Sequence, residues 1–177
     1  KLTVSVDPGK RIYVRRINFE GNLVTGDEVL RQNVTQMEGA WLSNQSLEVS
    51  KNQLSRLTYM EEVEFDTVRL PGQDDQVDVN FSVKEQPAGS FNAGIGYGDR
   101  TKLSLQAGIQ QDNFLGTGKR VGININTVSY QQSIALNYTD PYFTIDGISL
   151  GGSVSYSEFD GSDFNVVSYN SKQFAIG

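Results

Sequence analysis

The sequence predicts an α+β domain followed by an antiparallel all-β segment, and three observations carry that prediction. Composition breaks near Gln86-Pro87: 24 charged residues and 5 glycines lie before the break, 12 charged residues and 13 glycines after it. Apolar residues recur at helical spacing only before the break. After it they alternate, residue by residue, between turns of Gly, Asp and Asn.

A strand is expected from about Arg11 to Glu20. Ile12 and Val14 share one phase while Ile17 and Phe19 share the other, so a bulge is expected within it. Gly21-Asn22 ends the strand. Thr25 and Glu28 have capping-box spacing, with Val29, Leu30 and Val34 following as a helical face. Ser43 or Ser46 opens a second helix, in which Leu47, Leu54 and Leu57 share a face, Ser50 fills the intervening turn and Val49 points away. Two alternating runs come next, Val63-Phe65-Thr67 and Val77-Val79-Phe81-Val83, separated by a turn at Pro71-Gly72-Gln73-Asp74-Asp75. The order is β-α-α-β-β, two helices on one face of a small sheet.

Six strands are expected beyond Pro87: Gly89–Tyr97, Lys102–Phe114, Arg120–Thr127, Gln132–Thr139, Ile148–Ser157 and Val166–Ile176. One face of these strands is apolar (Leu103, Leu105, Ile109; Val121, Ile123, Ile125; Ile134, Leu136, Tyr138). The other is small and polar (Ser104, Gln106, Gly108; Gly122, Asn124, Asn126; Ser133, Asn137). Alternation fits a soluble core as well as a membrane. Two features favour the membrane: strands of roughly eight to thirteen residues suit a tilted bilayer crossing, and the turns at alternate ends are preceded by aromatics, Phe114 before one and Tyr142-Phe143 before the other, as in one rim of an aromatic girdle.

Composition also excludes classes of function. A net charge of −6 and a pI near 4.6 leave no basic stripe for a nucleic acid. No cysteine or histidine is present, which removes disulfides, thiolate chemistry and the commonest general base and metal ligand. No run of about 18 apolar residues occurs, while alternating lipid-facing strands keep mean hydropathy as low as the observed −0.38. Gly94-Ile95-Gly96-Tyr97-Gly98 is followed by no helix that could hold a dinucleotide. Gly116-Thr117-Gly118-Lys119-Arg120 lacks the Ser/Thr and the helix of a phosphate loop, and reads as a hairpin turn. The carboxylates Glu61, Glu62 and Glu64 alternate with apolar residues as a solvated face. No catalytic residue, cofactor or metal is expected.

Two places remain as candidate sites. The first is Gly89–Gly98: Phe91, Ala93, Ile95 and Tyr97 fall on one face, and Ser90, Asn92, Gly94, Gly96 and Gly98 on the other. Glycine at alternate positions points to flexibility or to close backbone approach, and to an edge strand that opens. The second is Met37-Glu38-Gly39-Ala40-Trp41 between the helices. Trp41 either caps the core or anchors a docking patch with Glu38 as its charged rim; as a rim residue, Glu38 should tolerate charge reversal with little loss of stability.

The whole chain resembles the Omp85 family of outer-membrane assembly factors. Phe19-Glu20-Gly21-Asn22, Met37-Glu38-Gly39-Ala40-Trp41, Leu54-Ser55-Arg56-Leu57 and Gln76-Val77-Asp78-Val79 are similar to the last POTRA domain before the barrel. Gly89-Ser90-Phe91-Asn92, Gly94 to Gly98, Gln110 to Gly118 and Asp140-Pro141-Tyr142-Phe143 are similar to the opening barrel strands. The resemblance implies a remnant of a preceding POTRA domain at 1–9, a POTRA domain at 10–86 and the first six strands of an outer-membrane barrel at 87–177, cut from a longer protein at both ends. It implies a non-enzymatic insertase in the outer membrane of a Gram-negative bacterium, with its POTRA part in the periplasm. The implied partners are lipoprotein subunits of an assembly complex, unfolded outer-membrane clients and the lipid bilayer. Ser90, Phe91, Asn92, Ala93, Gly94, Ile95 and Gly96 would form the lateral-gate edge, to which a client strand adds by β-augmentation. An Omp85-type translocation channel and a soluble β-rich adhesin are the rival readings.

Overall fold

A computed structural model describes residues 11–99, 101–144, 146–161 and 170–177. The expected 1–9 remnant, Arg100 and Ile145 in two of the turns, and the start of the last strand at Val166 lie outside the described residues. The chain divides into two compact units, Lys1–Gln86 and Pro87–Gly177.

The first unit runs β1 (Tyr13–Glu20), α1 (Asp27–Arg31), α2 (Asn44–Ser55), β2 (Met60–Leu70) and β3 (Gln73–Glu85). Its sheet has the order β1-β3-β2, with β1 parallel and β2 antiparallel to β3. The register of β1 shifts between Val14 and Arg16, which is the bulge the change of phase demanded. Beyond it Ile17 and Phe19 face the helices' side with Val79 and Phe81. Phe81 is fully buried and stacks on Phe19 at 5.6 Å and against Phe65 at 5.9 Å.

Helix α2 follows its pattern except at its end, where it stops at Ser55 and leaves Leu57 outside it, half-buried. Ser43 Oγ accepts from the Ser46 amide, and Leu47, Ser50 and Leu54 are buried while Val49 is exposed. Ser50 is tolerated in the core because its hydroxyl donates to the Ser46 carbonyl at 2.7 Å and accepts from the Thr35 amide at 2.9 Å.

Helix α1 departs from expectation. Its N-cap is Gly26 with no side-chain cap, it spans only Asp27–Arg31, and Val34 lies outside it. The Glu85 carboxylate explains the difference, since it accepts from the amides of Val24 at 2.9 Å and Thr25 at 2.7 Å, and Thr25 is drawn into the interior. A tertiary carboxylate thus holds the residues before the helix, and Thr25 forms no local box. The hairpin turn is also tighter than expected: Pro71 and Gly72 alone make it, Gly72 at φ 80°, and Gln73 to Asp75 belong to β3. Gly21, at φ 91°, lies so close to β3 that a Cβ there would fall on the Val83 carbonyl oxygen.

The second unit is one antiparallel sheet in sequence order: β4 (Gly89–Gly98), β5 (Lys102–Gln111), β6 (Arg120–Val128), β7 (Gln131–Asp140), β8 (Leu150–Asp160) and β9 (Asn170–Ile176). Strand β5 stops at Gln111 instead of Phe114, because Asn113 turns left-handed at φ 54°. Its carboxamide accepts from the Gly118 amide at 2.8 Å, and the Phe114 amide donates to the Lys119 carbonyl. This closes a compact turn around Phe114–Gly116.

Candidate functional site

Every buried apolar core residue among those described lies between Val14 and Val83. The six-stranded sheet has none. Its apolar face is continuous in register: Phe91, Ile109, Ile123, Leu136, Val154 and Ile176 form one row, and Ala93, Ala107, Ile125, Ile134, Tyr156 and Phe174 the next. Phe91, Ile95 and Tyr97 are between 71% and 78% exposed. A soluble sheet must bury such a face against a second layer; no described residue covers this one. Among the described residues no helix is long and apolar enough to cross a membrane.

The apolar run also drifts across the sheet. In β4 it extends from Phe91 to Tyr97, on one side of the Phe91 row. In β8 it extends from Leu150 to Tyr156, mostly on the other side. The same-face continuation of the Ile95–Leu105 row is Thr127, Gln132, Glu158 and Lys172. The shift is four residues over four strand spacings, about 14 Å along the strands against about 19 Å across them, and so corresponds to a tilt of about 35°. Membrane barrels hold their strands at 35–45° to the normal. A level hydrocarbon slab would cut the sheet along this diagonal.

Strand β4 has β5 on one side and no described strand on the other. The Asp112 amide donates to the Ala88 carbonyl at 2.9 Å, so the 88/112 pair is hydrogen-bonded. Antiparallel pairing alternates, and even-numbered residues from Ser90 to Gly98 therefore turn their backbone groups to β5. The outward amides and carbonyls belong to Phe91, Ala93, Ile95 and Tyr97. The expected edge residues divide accordingly: Phe91, Ala93 and Ile95 carry the free donors and acceptors, and Ser90, Asn92, Gly94 and Gly96 present the polar face. The glycines leave room for side chains of β5 and not for a close-lying backbone. A Cβ at Gly94 would lie 2.7 Å from Gln106 Nε2, and one at Gly96 2.6 Å from Ser104 Oγ, because these β5 side chains fold over them.

In the first unit, the segment after α1 covers part of the outer edge of β1. The Val14 amide donates to the Ala40 carbonyl, the Gly39 amide to Val14 and the Leu42 amide to Ile12. Past the bulge the cover changes to side chains: Glu38 Oε1 accepts from the Ile17 amide at 2.8 Å, and Arg31 donates to the Ile17 carbonyl at 2.7 Å and to Glu38 at 3.1 Å. Donation from the Ile17 amide, with Arg31 adding to it, holds the Glu38 carboxyl below its ordinary range against partial burial. Glu38 thus bonds the edge of β1, and reversing its charge is expected to cost stability, unlike that of a free rim residue.

Trp41 does not cap the core. It is 59% exposed, forms an antiparallel bridge with Tyr13 and carries the Arg11 guanidinium 5.1 Å above its ring. With Ile12, Leu42 and Asn44 these two residues line a shallow hollow of about 350 Å³. Sequence reading missed Arg31 and Glu85; a basic residue in the last helical turn was the only local signal for the first. No cluster of three or more potential metal ligands occurs among the described residues.

A small α+β domain followed by a coreless, tilted antiparallel sheet defines a class, and comparison with known families agrees with it. Residues 12–86 match the POTRA family, described as a surface antigen variable number repeat, and residues 113–177 match the Omp85 superfamily domain. The chain thus carries a POTRA domain followed by an antiparallel sheet that matches the Omp85 superfamily domain. More particularly, it is 41% identical over 159 residues to the outer membrane protein assembly factor BamA of Neisseria meningitidis serogroup B, covering 90% of this chain and 20% of that protein. It is 33% identical over 158 residues to BamA of Buchnera aphidicola, covering 89% and 26%. The crystal structure of BamA from Haemophilus ducreyi lacking POTRA domains 1–3 superposes with a TM-score of 0.85 at 44% identity, over 96% of this chain and 32% of that one. The chain thus spans about a fifth to a third of the proteins it matches.

Proposed function

We propose that this chain is the junction of periplasmic domain and barrel in an outer-membrane β-barrel assembly factor. In this reading residues 10–86 are the POTRA domain nearest the barrel, in the periplasm of a Gram-negative bacterium. Residues 87–177 are the first six barrel strands, and strand β4 is the edge on which an unfolded outer-membrane client adds its own strand. The observation that carries it is the edge itself. The backbone groups of β4 that point away from β5 belong to Phe91, Ala93 and Ile95, whose side chains lie on the apolar face. A strand added there would complete a hydrogen-bond ladder inside hydrocarbon, where each unpaired amide costs several kcal/mol. No chemical step is needed, and the factor works by templating and not as an enzyme.

Exposed Trp41, with Arg11 above its ring and Glu38 nearby in the chain, supports a docking patch for a lipoprotein subunit of the assembly complex. Since Glu38 also caps β1, the contact surface would centre on Trp41 and Arg11.

The test uses the absence of cysteine. In the intact protein carrying a stalled client, single cysteines at Ser90, Asn92 and Gly94 should form disulfides with successive alternate positions of the client's terminal strand, in one register. Equal crosslinking from Leu103 and Leu105 on β5, or none from β4, would refute the edge as the point of entry.

A further inference from the structure

On the apolar face of the second sheet, β6 and β7 carry matching apolar stretches with polar ends. In β6 the stretch lies between Lys119 and Thr127, and in β7 between Asp140 and Gln132, with Thr127 opposite Gln132. Each spans eight positions, 119 to 127 and 132 to 140, about 27 Å along the strand and about 22 Å along the membrane normal at the sheet's tilt of about 35°. The apolar band of a membrane barrel is about 25 Å tall. Lys119 and Asp140 therefore stand at one hydrocarbon boundary. It is the boundary at the end of the sheet where the Asp112 amide bonds Ala88 and the chain enters from the first unit.

Among the described residues, Lys119 is the cation on the apolar face at that boundary. Its Nζ lies 3.3 Å from Asp140 Oδ2 and 6.0 Å from the centre of the Tyr138 ring. Arg120, beside it, turns to the opposite face, onto Asp112 at 2.6 Å. The backbone holds Lys119 in place, since its carbonyl accepts from the Phe114 amide at 2.8 Å. Asp140 is fixed in turn, its Oδ1 accepting from the Tyr142 amide at 3.1 Å. The carboxylate side chain is 12% exposed and the lysine side chain 39%, so the anion lies beneath and the ammonium faces out. An ammonium has three donors, and Asp140 takes one. On β8 the residue opposite Tyr138 is Gly152, where a Cβ would meet nothing nearer than the Gly177 carbonyl oxygen at 3.6 Å. No side chain fills the space beside the ring on that strand.

We infer that Lys119 and Tyr138 form a site for one glycerophospholipid of the leaflet next to the first unit. The ammonium takes the phosphate, and an acyl chain runs past the Tyr138 ring over Gly152. Asp140 is a positioning residue that holds the ammonium at the boundary. The inference rests on the reading of residues 87–177 as membrane-spanning strands and deepens it. A cation at the hydrocarbon edge with a carboxylate behind it directs its remaining donors into the headgroup layer, where phosphodiester oxygens are the acceptors. Free phosphate fits less well. The carboxylate cancels most of the charge that would hold a small ion, whereas a lipid adds the burial of its chain against the ring.

The experiment titrates the intact protein, in the phosphate-free detergent dodecyl maltoside, with dioleoyl phosphatidylethanolamine, and counts bound lipid by native mass spectrometry. The parent should retain one lipid. Lys119→Met, which keeps an apolar stem, should weaken it about fivefold, the scale of one basic residue at a lipid surface, and Lys119→Arg should restore it. Gly152→Leu should weaken binding without touching a charge. Inorganic phosphate should not compete in the parent and should compete in Asp140→Asn, where the ammonium is no longer compensated.

Dioleoylglycerol bound as tightly as the phospholipid would overturn the site, assigning retention to the chains alone. An equal loss in Lys172→Met would overturn it too, because Lys172, paired with Glu158 at 3.4 Å, is the cation at the opposite boundary and any such cation would then suffice. Displacement of lipid from the parent by inorganic phosphate would overturn the lipid as occupant. The membrane reading is checked separately by a bimane label on Ile134→Cys in vesicles of chain-brominated phosphatidylcholine. Quenching there with no effect at Lys119 would sink the site alone; an unquenched label would refute the membrane reading and the site with it.

Discussion

The dual position of Glu38 yields the most demanding test, because it predicts a loss where a surface carboxylate ordinarily gives none. Replacing Glu38 by Ala removes the acceptor of the Ile17 amide, on a residue only 3% exposed. A lost hydrogen bond that leaves a buried donor unmatched costs about 1–2 kcal/mol. The Arg31 pair adds under about 0.5 kcal/mol, since both partners are 44% exposed. The sum, about 2 kcal/mol, corresponds in a domain of this size to a fall in Tm of about 10 °C. Gln keeps an uncharged acceptor and should lose about half as much. Lys places a third positive charge near Arg31 and Arg16 and should cost at least as much as Ala. Thermal melts of residues 10–86 at pH 7, followed by circular dichroism, measure all three. A Lys variant that melts within about 2 °C of the parent would refute the capping argument and restore Glu38 as a free rim charge. Partner capture by the same variants must then be compared at a temperature where each is folded.

Further expectations follow from other features. Ala93→Pro removes an amide that points away from β5, so β4–β5 pairing should survive while client crosslinks are lost; Asn92→Ala should leave both unchanged. Gly21→Ala should cost about 3 kcal/mol or more, or prevent folding of residues 10–86, because it combines a positive φ with a Cβ on the Val83 carbonyl; chemical denaturation reads this directly. Glu38, Asp78 and Glu85 all sit below their ordinary range: Glu38 through Ile17, Asp78 through Arg15, and Glu85 through Thr25 and Val24 despite the opposing effect of burial. Depressed carboxyls contribute stability that is present above their unfolded pKa of about 4 and lost as pH falls toward the folded values. The Tm of residues 10–86 should therefore be flat from about pH 7 to 5 and fall below about pH 4.5, and the triple amide variant should show a shallower fall. Residues 87–177 should give a monodisperse species with strand content only with detergent, lipid or a partner strand, since their apolar face lacks a second layer; a detergent-free monomer seen by sedimentation would contradict this.

How much was legible depended on whether the signal was periodic or tertiary. The strands from β4 to β9 were readable because a period of two, broken by charge only towards one end of β8 and β9 at Glu158 and Lys172, leaves little choice of face. The bulge in β1 was readable from a single change of phase between Val14 and Ile17. The start of α1 was not, since the residue that holds Thr25 away from the expected box is Glu85, sixty positions away. Nor could the pattern show that Glu38 is bound to a strand edge: in sequence it stands in a loop beside Gly39, as a solvated rim charge would. Trp41 stayed open between core and surface because one aromatic in a loop has no period. At the edge, alternation placed Phe91, Ala93 and Ile95 on one face, but which of them aim their amides outward follows only from the Ala88–Asp112 bond.

The cover on β1 fixes the valency of the first sheet. Ala40, Gly39, Leu42, Glu38 and Arg31 occupy backbone groups along one side of it from Ile12 to Ile17, whereas β2, at the other side, has no strand neighbour among the described residues beyond β3. A sheet with two open sides can grow without limit, each added copy exposing a new one. One with a single open side can take one strand, or meet one other sheet, and then stops. The backbone bonds at Ile12 and Val14, with the side-chain contacts at Ile17, thus make the domain a chain terminator in place of a monomer for fibre growth.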